Sequence, residues 1–520
     1  MQRRTLLKAG ALGIAGGQLS IGCAGSDAES RESGASFVHG VASGDPTSDS
    51  VLLWTRVTPR DPGPISGSYE VFDSLALEEP LAAGSFTTDA DRDYTVKVDA
   101  QGLSPGTTYY YRFYCQGATS PVGRTRTAPR GEVERLRVVV FSCAAYAAGY
   151  FHAYRAAAAR ADVDLCVHLG DYIYEHGNAE FGATRAYDPP DEVLTLEDYR
   201  RRYAHYRLDP DLQAVHQQFP FVTIWDDHEV ANDAWRGGAQ NHQEAEGDYA
   251  ERKHAAQQAY FEWVPVRETE PGQVHRSFAY GDLVDLVLLD TRHWGRDRQL
   301  AADDPALADE DRSILGADQE EWLEDTLIAS EARWRLLCQQ VMLTSLPLGI
   351  SNNDAWEGYP ASRQRLFDLI ESRSLDNVVV LTGDIHMSWA FDVLPRDAEA
   401  YDPGTGAGSI AVEFVAPSVT SPSLGQGPAE TLEEALRAVP HVRLAQLWKR
   451  GYLLLDVDHD RLQAEWYLFE RVDAPADEEF YAALKVESGE TFLREVAEAA
   501  PERGNAPALA PPTTAPEPSG

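Results

Sequence analysis

The chain has 520 residues, of which 43% are hydrophobic, 10% aromatic and 25% charged, a composition that supports a substantial core and excludes global disorder. Its 45 Lys and Arg against 83 Asp and Glu leave a formal charge of −38, a field that repels phosphate backbones and disfavours electrostatically driven nucleic-acid binding. At about 150 residues per domain the length fits roughly three units, or one large α/β domain with a smaller module. The five cysteines at 23, 115, 143, 166 and 338 form no CxxC pair, so a thiolate zinc site is not expected.

At the N-terminus, Arg3 and Arg4 precede Thr5-Leu6-Leu7-Lys8, and a weakly apolar stretch from Ala9 to Gly22 runs into Cys23. Residues 1–22 resemble a twin-arginine (Tat) export signal joined to an imperfect lipoprotein site. The expectation is export by the Tat machinery to the periplasm, cell surface or medium, with Cys23 a candidate lipid anchor. Residues 23–36 read as a flexible tether. No later apolar run approaches the roughly 20 residues of a membrane span.

Residues 37–128 show short strands between turn signals, at Val51–Val57, Tyr69–Phe72, Tyr94–Val98 and Thr107–Gln116. This pattern predicts a β-sandwich of immunoglobulin or fibronectin type, with the alternating Tyr109, Tyr111 and Phe113 in its core. Residues 131–475 change to apolar strands alternating with helices, the pattern of a layered α/β domain. Strands are expected at Leu136–Phe141, Leu165–Leu169, Phe221–Trp225, Val284–Leu289, Trp334–Leu343 and Val378–Leu381, with a hairpin at Gly451–Val457 and Leu462–Phe469. Helices are expected near Phe151–Arg160, Asp248–Trp263, Gln319–Ile328 and Ala361–Leu369. Residues 476–500 are assigned to a C-terminal helical segment and 501–520 to a disordered tail rich in Pro, Ala and Thr.

Polar clusters follow four of these strands: Ser142-Cys143; His168-Leu169-Gly170-Asp171-Tyr172-Ile173-Tyr174-Glu175-His176; Asp226-Asp227-His228-Glu229 through Asn232-Asp233; and Gly383-Asp384-Ile385-His386. One Gly-Asp pair is most often a turn with an Asx cap. Several carboxylates crowded at one sheet edge repel unless a cation neutralises them, so together the clusters favour a multimetal site.

Through these motifs, with Phe37-Val38-His39-Gly40-Val41-Ala42-Ser43-Gly44-Asp45-Pro46 and Leu289-Asp290-Thr291-Arg292, the chain resembles the alkaline phosphatase D (PhoD) family. That family lies within the calcineurin-like and purple acid phosphatase group of metallophosphoesterases, and the resemblance covers about Phe37 to Glu470. It implies a four-layer αββα phosphoesterase domain behind the N-terminal β-sandwich, and a site holding Fe(III) with Ca(II). By the same implication Cys143, Tyr174 and His386 bind iron, Asp171 bridges the metals, and Asp227, Asp384 and Asn232 give oxygen ligands to calcium. The choice between Asp226 and Asp227 stays open. Asp384, standing where related enzymes have histidine, suits calcium better than zinc. The activity expected is hydrolysis of phosphate monoesters, diesters or both by a metal-held hydroxide, with His228 protonating the departing alkoxide. Arg292 reads as a structural ion pair before a phosphate contact. The alternatives are a phosphodiesterase acting on lipid or teichoic-acid diesters, and a non-catalytic calcium-stabilised surface-binding protein.

Overall fold

The computed structural model describes residues 35–347, 349–395 and 400–513, so the export signal and Cys23 lie outside the described residues. The apolar runs Leu136–Phe141, Leu165–His168 and Pro220–Thr223 are wholly buried strands. They pair in parallel, Val138 against Leu165 and Cys166 against Phe221, as continuous apolar runs covered on both faces do. They lie at the centre of a ten-stranded sheet. A seven-stranded sheet is built around the parallel strands Val284–Leu288, Trp334–Cys338, Val378–Thr382 and Ala411–Val415.

Side-chain alternation sorts the core. Val138, Val140, Val167 and Val222 of the first sheet pack with Leu286, Leu336, Val379 and Phe414 of the second. On the opposite face Phe141, Cys166 and Phe221 meet Tyr154, Tyr203, Val215 and Ala259 from helices His152–Ala158, Leu196–Arg207, Pro210–Gln218 and Tyr249–Trp263. Val287, Leu337 and Val380 meet Leu323, Leu366 and Leu436 from helices Ala317–Ala329, Pro360–Arg373 and Gln426–Leu436. Helix Leu196–Arg207 starts at a capping box between Thr195 and Asp198, which satisfies two free helix-end groups reciprocally. The sequence pattern did not reveal this helix or its neighbour Pro210–Gln218.

In the N-terminal region Tyr109, Tyr111 and Phe113 are buried with Val51, Leu53 and Val96, as expected of core residues. The boundary near residue 130 does not separate sheets, however. Strands Val41–Gly44, Ser50–Arg56 and Thr95–Gln101 join the ten-stranded sheet, with Ser43 paired to Pro220 and Gly44 to Phe221.

Two C-terminal expectations are corrected. Residues 476–500 are not helical: Glu479–Glu487 and Arg494–Val496 extend the large sheet antiparallel to Arg461–Phe469. Leu484 and Val486 point into the core between the sheets, a two-residue period that fits a strand. Residues 501–513 are not a free tail. Arg503 donates to both oxygens of Asp164 at 2.7 Å, the Ala510 N–H bonds Gln218 at 2.8 Å, and the Tyr110 hydroxyl donates to the Ala508 carbonyl at 2.6 Å. Composition marks irregular backbone there, but these contacts fix it. Residues 514–520 lie outside the described residues.

Candidate metal centre

The four polar clusters converge at the carboxyl ends of parallel strands, where open α/β sheets build their sites. Strand Leu136–Phe141 leads to Cys143, Leu165–His168 to Asp171, Pro220–Thr223 to Asp226 and Asp227, and Val378–Thr382 to Asp384 and His386. Cys143 (φ 60°), Asp171 (55°), Asp384 (63°) and His386 (61°) all take left-handed backbone, a conformation that costs non-glycine residues roughly 1–3 kcal/mol and clusters at functional sites. Here it turns each side chain inward from its strand end. Gly170 (φ 106°) allows a close approach of two turns: a Cβ there would lie 2.5 Å from both Cβ and N of Asp226.

Among the described residues, beside a set formed by Glu175, His176 and His228, three further sets of ligand atoms lie within 4.8 Å of one another: Cys143, Asp171 and His386; Asp171, Asp227 and His228; and Asp226, Asp227 and Asp384. Asp171 belongs to the first two and Asp227 to the last two. The Tyr174 hydroxyl donates to Asp171 Oδ2 at 2.7 Å, lies 3.1 Å from His386 Nε2 and accepts from Ser421 Oγ at 2.6 Å. Asn232 stands at the rim, its backbone N–H on Glu175 at 2.8 Å and its side-chain Nδ2 on Gln240 Oε1 at 3.0 Å.

The electrostatics call for cations. Asp171 Oδ1 and Asp226 Oδ2 are buried without a hydrogen-bond partner among the described residues, a costly state for a carboxylate oxygen. Burial, and then neighbouring carboxylates, push Asp384 up to about 8 against the pull of Arg292. Burial and then Asp171 push Glu229 up to about 8. Burial first and Asp171 next also raise the Cys143 thiol and the Tyr174 phenol well above their ordinary values. A multivalent ion among these donors reverses each of these penalties, so the residues present fit a metal centre.

Several further groups complete the site, among them Arg292, which the sequence marked as an ion pair without naming its partners. Arg292 is fully buried, its guanidinium 2.5 Å from each of Asp226, Asp354 and Asp384 and 3.7 Å from Asp227. Glu229 accepts the N–H groups of Asp171 (3.1 Å), Tyr172 (2.6 Å) and Asp226 (2.8 Å), tying two ligand turns together. Glu175 Oε2 lies 2.6 Å from His228 Nδ1, and against the opposing effect of burial Glu175, with Asp171 and Asp227 behind it, holds the imidazole charged well above its usual range. Glu175 and Glu229 stood inside the polar clusters, where their acidic type was the only hint. Asp354 follows no strand, and nothing in the sequence marks it.

Comparison with known proteins places this geometry among phosphatases. The family described as PhoD-like phosphatase matches residues 138–466, and that described as PhoD-like phosphatase, N-terminal domain, matches residues 22–129. Alkaline phosphatase D of Bacillus subtilis (strain 168) is 36% identical over 491 residues, covering 88% of this chain and 82% of that protein. A solved structure titled "Structure of PhoD" superposes with a TM-score of 0.82 at 35% identity, over 89% of this chain and 92% of the other.

Proposed function

The chain belongs to the PhoD-like phosphatase family and is a phosphoric ester hydrolase, and from that premise we propose that it is an exported, metal-dependent alkaline phosphatase. The observation that carries the metal dependence is the pair of orphaned carboxylate oxygens on Asp171 and Asp226, with Asp171 shared between two sets of ligand atoms. Membership of a hydrolase family removes the reading of a non-catalytic calcium-stabilised protein. The αββα layering is supported by helices packed outside each of the two sheets.

Cys143, Asp171, Tyr174 and His386 would hold Fe(III), whose hard, acidic character suits the phenolate and carboxylate oxygens, while the thiolate adds negative charge. Asp171, Asp227, Asp384 and Asn232 would hold Ca(II) through oxygen. Asp227 is favoured over Asp226 as the calcium ligand because it belongs to two sets of ligand atoms, one with Asp171 and His228 and one with Asp226 and Asp384, whereas Asp226 belongs to one. Bound cations supply Lewis acidity toward phosphoryl oxygens and toward the attacking water. The remaining work falls to the chain itself. Arg292 fixes Asp226, Asp354 and Asp384, and its commitment to these three carboxylates supports the ion-pair role over a phosphate contact. Glu175 on Nδ1 of His228 orients the ring and keeps it protonated, leaving Nε2 to give a proton to the departing oxygen.

Elemental analysis tests the assignment: the purified protein should carry iron and calcium and be coloured by charge transfer from Tyr174 and Cys143. Calcium chelation should abolish activity and leave the colour. A colourless, active protein holding only zinc overturns it. Rates on p-nitrophenyl phosphate and bis(p-nitrophenyl) phosphate separate monoesterase from diesterase use of the same site. Export rests on Arg3 and Arg4; replacing both by Lys should hold the precursor in the cytoplasm, and normal export of that variant refutes this part.

A further inference from the structure

Phe181 lies in the segment between Tyr174 and helix Leu196–Arg207, and that segment is anchored away from the ring. The Thr184 N–H donates to the Ala147 carbonyl at 2.8 Å, Thr184 Oγ1 to the Ala148 carbonyl at 3.0 Å, and Arg185 Nε to the Tyr146 carbonyl at 3.0 Å. Gly182, at φ 114°, lets the chain pass where a Cβ would lie 2.6 Å from Ala148 Cα. So held, the Phe181 ring stacks on Tyr174 at 4.9 Å and 18°. It lies 5.4 Å from His176 and 5.8 Å from both His228 and His386.

Its neighbours Tyr174 and His228 are buried, whereas Phe181 stays half-exposed, as do Ile385 and Met387 on either side of His386. Phe181 therefore offers accessible apolar surface beside the buried Tyr174 and His228. The arginine at the centre, Arg292, has no exposed surface and is bound to carboxylates, so it is not offered to a substrate group beyond the phosphoryl. A ring beside the proposed proton donor stands where the departing organic group must pass.

We propose that Phe181 is a specificity-determining residue, an aromatic wall that receives the leaving group and favours aryl and other apolar esters over polyol esters. The proposal rests on reading the cluster around Asp171 and His228 as the reaction centre. An aromatic pair or an apolar face on a ring gains from offset or edge-on packing, and a polyol gains little.

The test compares phenyl phosphate with glycerol phosphate on the metal-replete full chain. Phe181→Ala should lower kcat/KM for phenyl phosphate roughly three- to ten-fold more than for glycerol phosphate, chiefly through KM. Metal content and inhibition by inorganic phosphate should stay at parental levels, and Phe181→Tyr should restore the preference. Equal loss on both esters, no change on either, or loss of metal in Phe181→Ala overturns the proposal. Full activity of Asp171→Asn would instead remove the reaction-centre reading itself, so the two failures are distinct.

Discussion

Glu175 Oε2 and His228 Nδ1 lie 2.6 Å apart with both side chains buried, so the two residues act as one unit although 53 positions separate them. The pairing fixes which imidazole nitrogen faces the site. A proton donated from that nitrogen matters when the leaving group is an alkoxide and hardly at all when it is p-nitrophenolate. His228→Ala should depress turnover of alkyl phosphates by about 10²- to 10⁴-fold, the usual worth of general acid help, while p-nitrophenyl phosphate hydrolysis falls much less. Glu175→Gln should show the same selectivity in weaker form. Equal losses on both esters with metals retained would assign His228 to the phosphoryl oxygens, and loss of metal would make it a ligand.

Asp171 carries the heaviest prediction, because it belongs to two ligand sets and has one oxygen without a protein partner. Asp171→Asn should lose activity together with both kinds of metal. Asp384→Asn should remove calcium more than iron, since Asp384 shares its set with Asp226 and Asp227 and stands outside that of Cys143 and His386. Metal-to-protein ratios by plasma emission, measured beside rates, decide both cases. Full activity in either variant contradicts the site.

Much of this centre was legible in the sequence, for a physical reason. A buried parallel strand is a continuous apolar run, and the polar residues that follow it must lie at the carboxyl edge, so the clusters holding Cys143, Asp171, Asp226 with Asp227, and Asp384 with His386 announce themselves by position, while the choice of ligand within each came from the family resemblance. Arg292 and Asp354 do not, because an Arg after a strand looks like any ion pair, and its three carboxylate partners come from separate segments of the chain. The same limit explains the C-terminal errors. Glu479–Glu487 is charged at its ends and exposed on one face, so its strand character comes from pairing with Arg461–Phe469, information held elsewhere in the chain.

Gly170 is predicted to be irreplaceable for a steric reason. Its φ of 106° is open to few other residues, and a methyl group would meet Asp226 at 2.5 Å. Gly170→Ala must therefore move either the Asp171 turn or the Asp226 turn, which Glu229 holds together. Stability should fall by about 1–3 kcal/mol, and metal affinity should fall with it. Calorimetry with metal titration of the variant checks both, and a parental affinity would mean that the two turns have slack.

The last prediction concerns Asp392, remote from the metal centre in strand Ser388–Val393. Its side chain is buried; Oδ1 accepts the Leu493 N–H at 2.8 Å, and Oδ2 accepts from the Tyr401 hydroxyl and from Arg443 at 3.3 Å. Burial outweighs these partners and pushes the carboxyl up to about 6. An acid raised in the folded state holds a proton there that the unfolded chain has already released. Its contribution to stability is thus greatest below the unfolded value near 4, declines as pH rises toward 6, and is constant above that. At about 1.4 kcal/mol per unit the total is roughly 3 kcal/mol. Asp392→Asn removes the titration and keeps the shape, so its stability relative to the parent should improve between pH 4 and 6 and then level off. Urea unfolding of both proteins across that range measures the difference, and parallel curves would show that Asp392 is already ionised in the folded protein at pH 4.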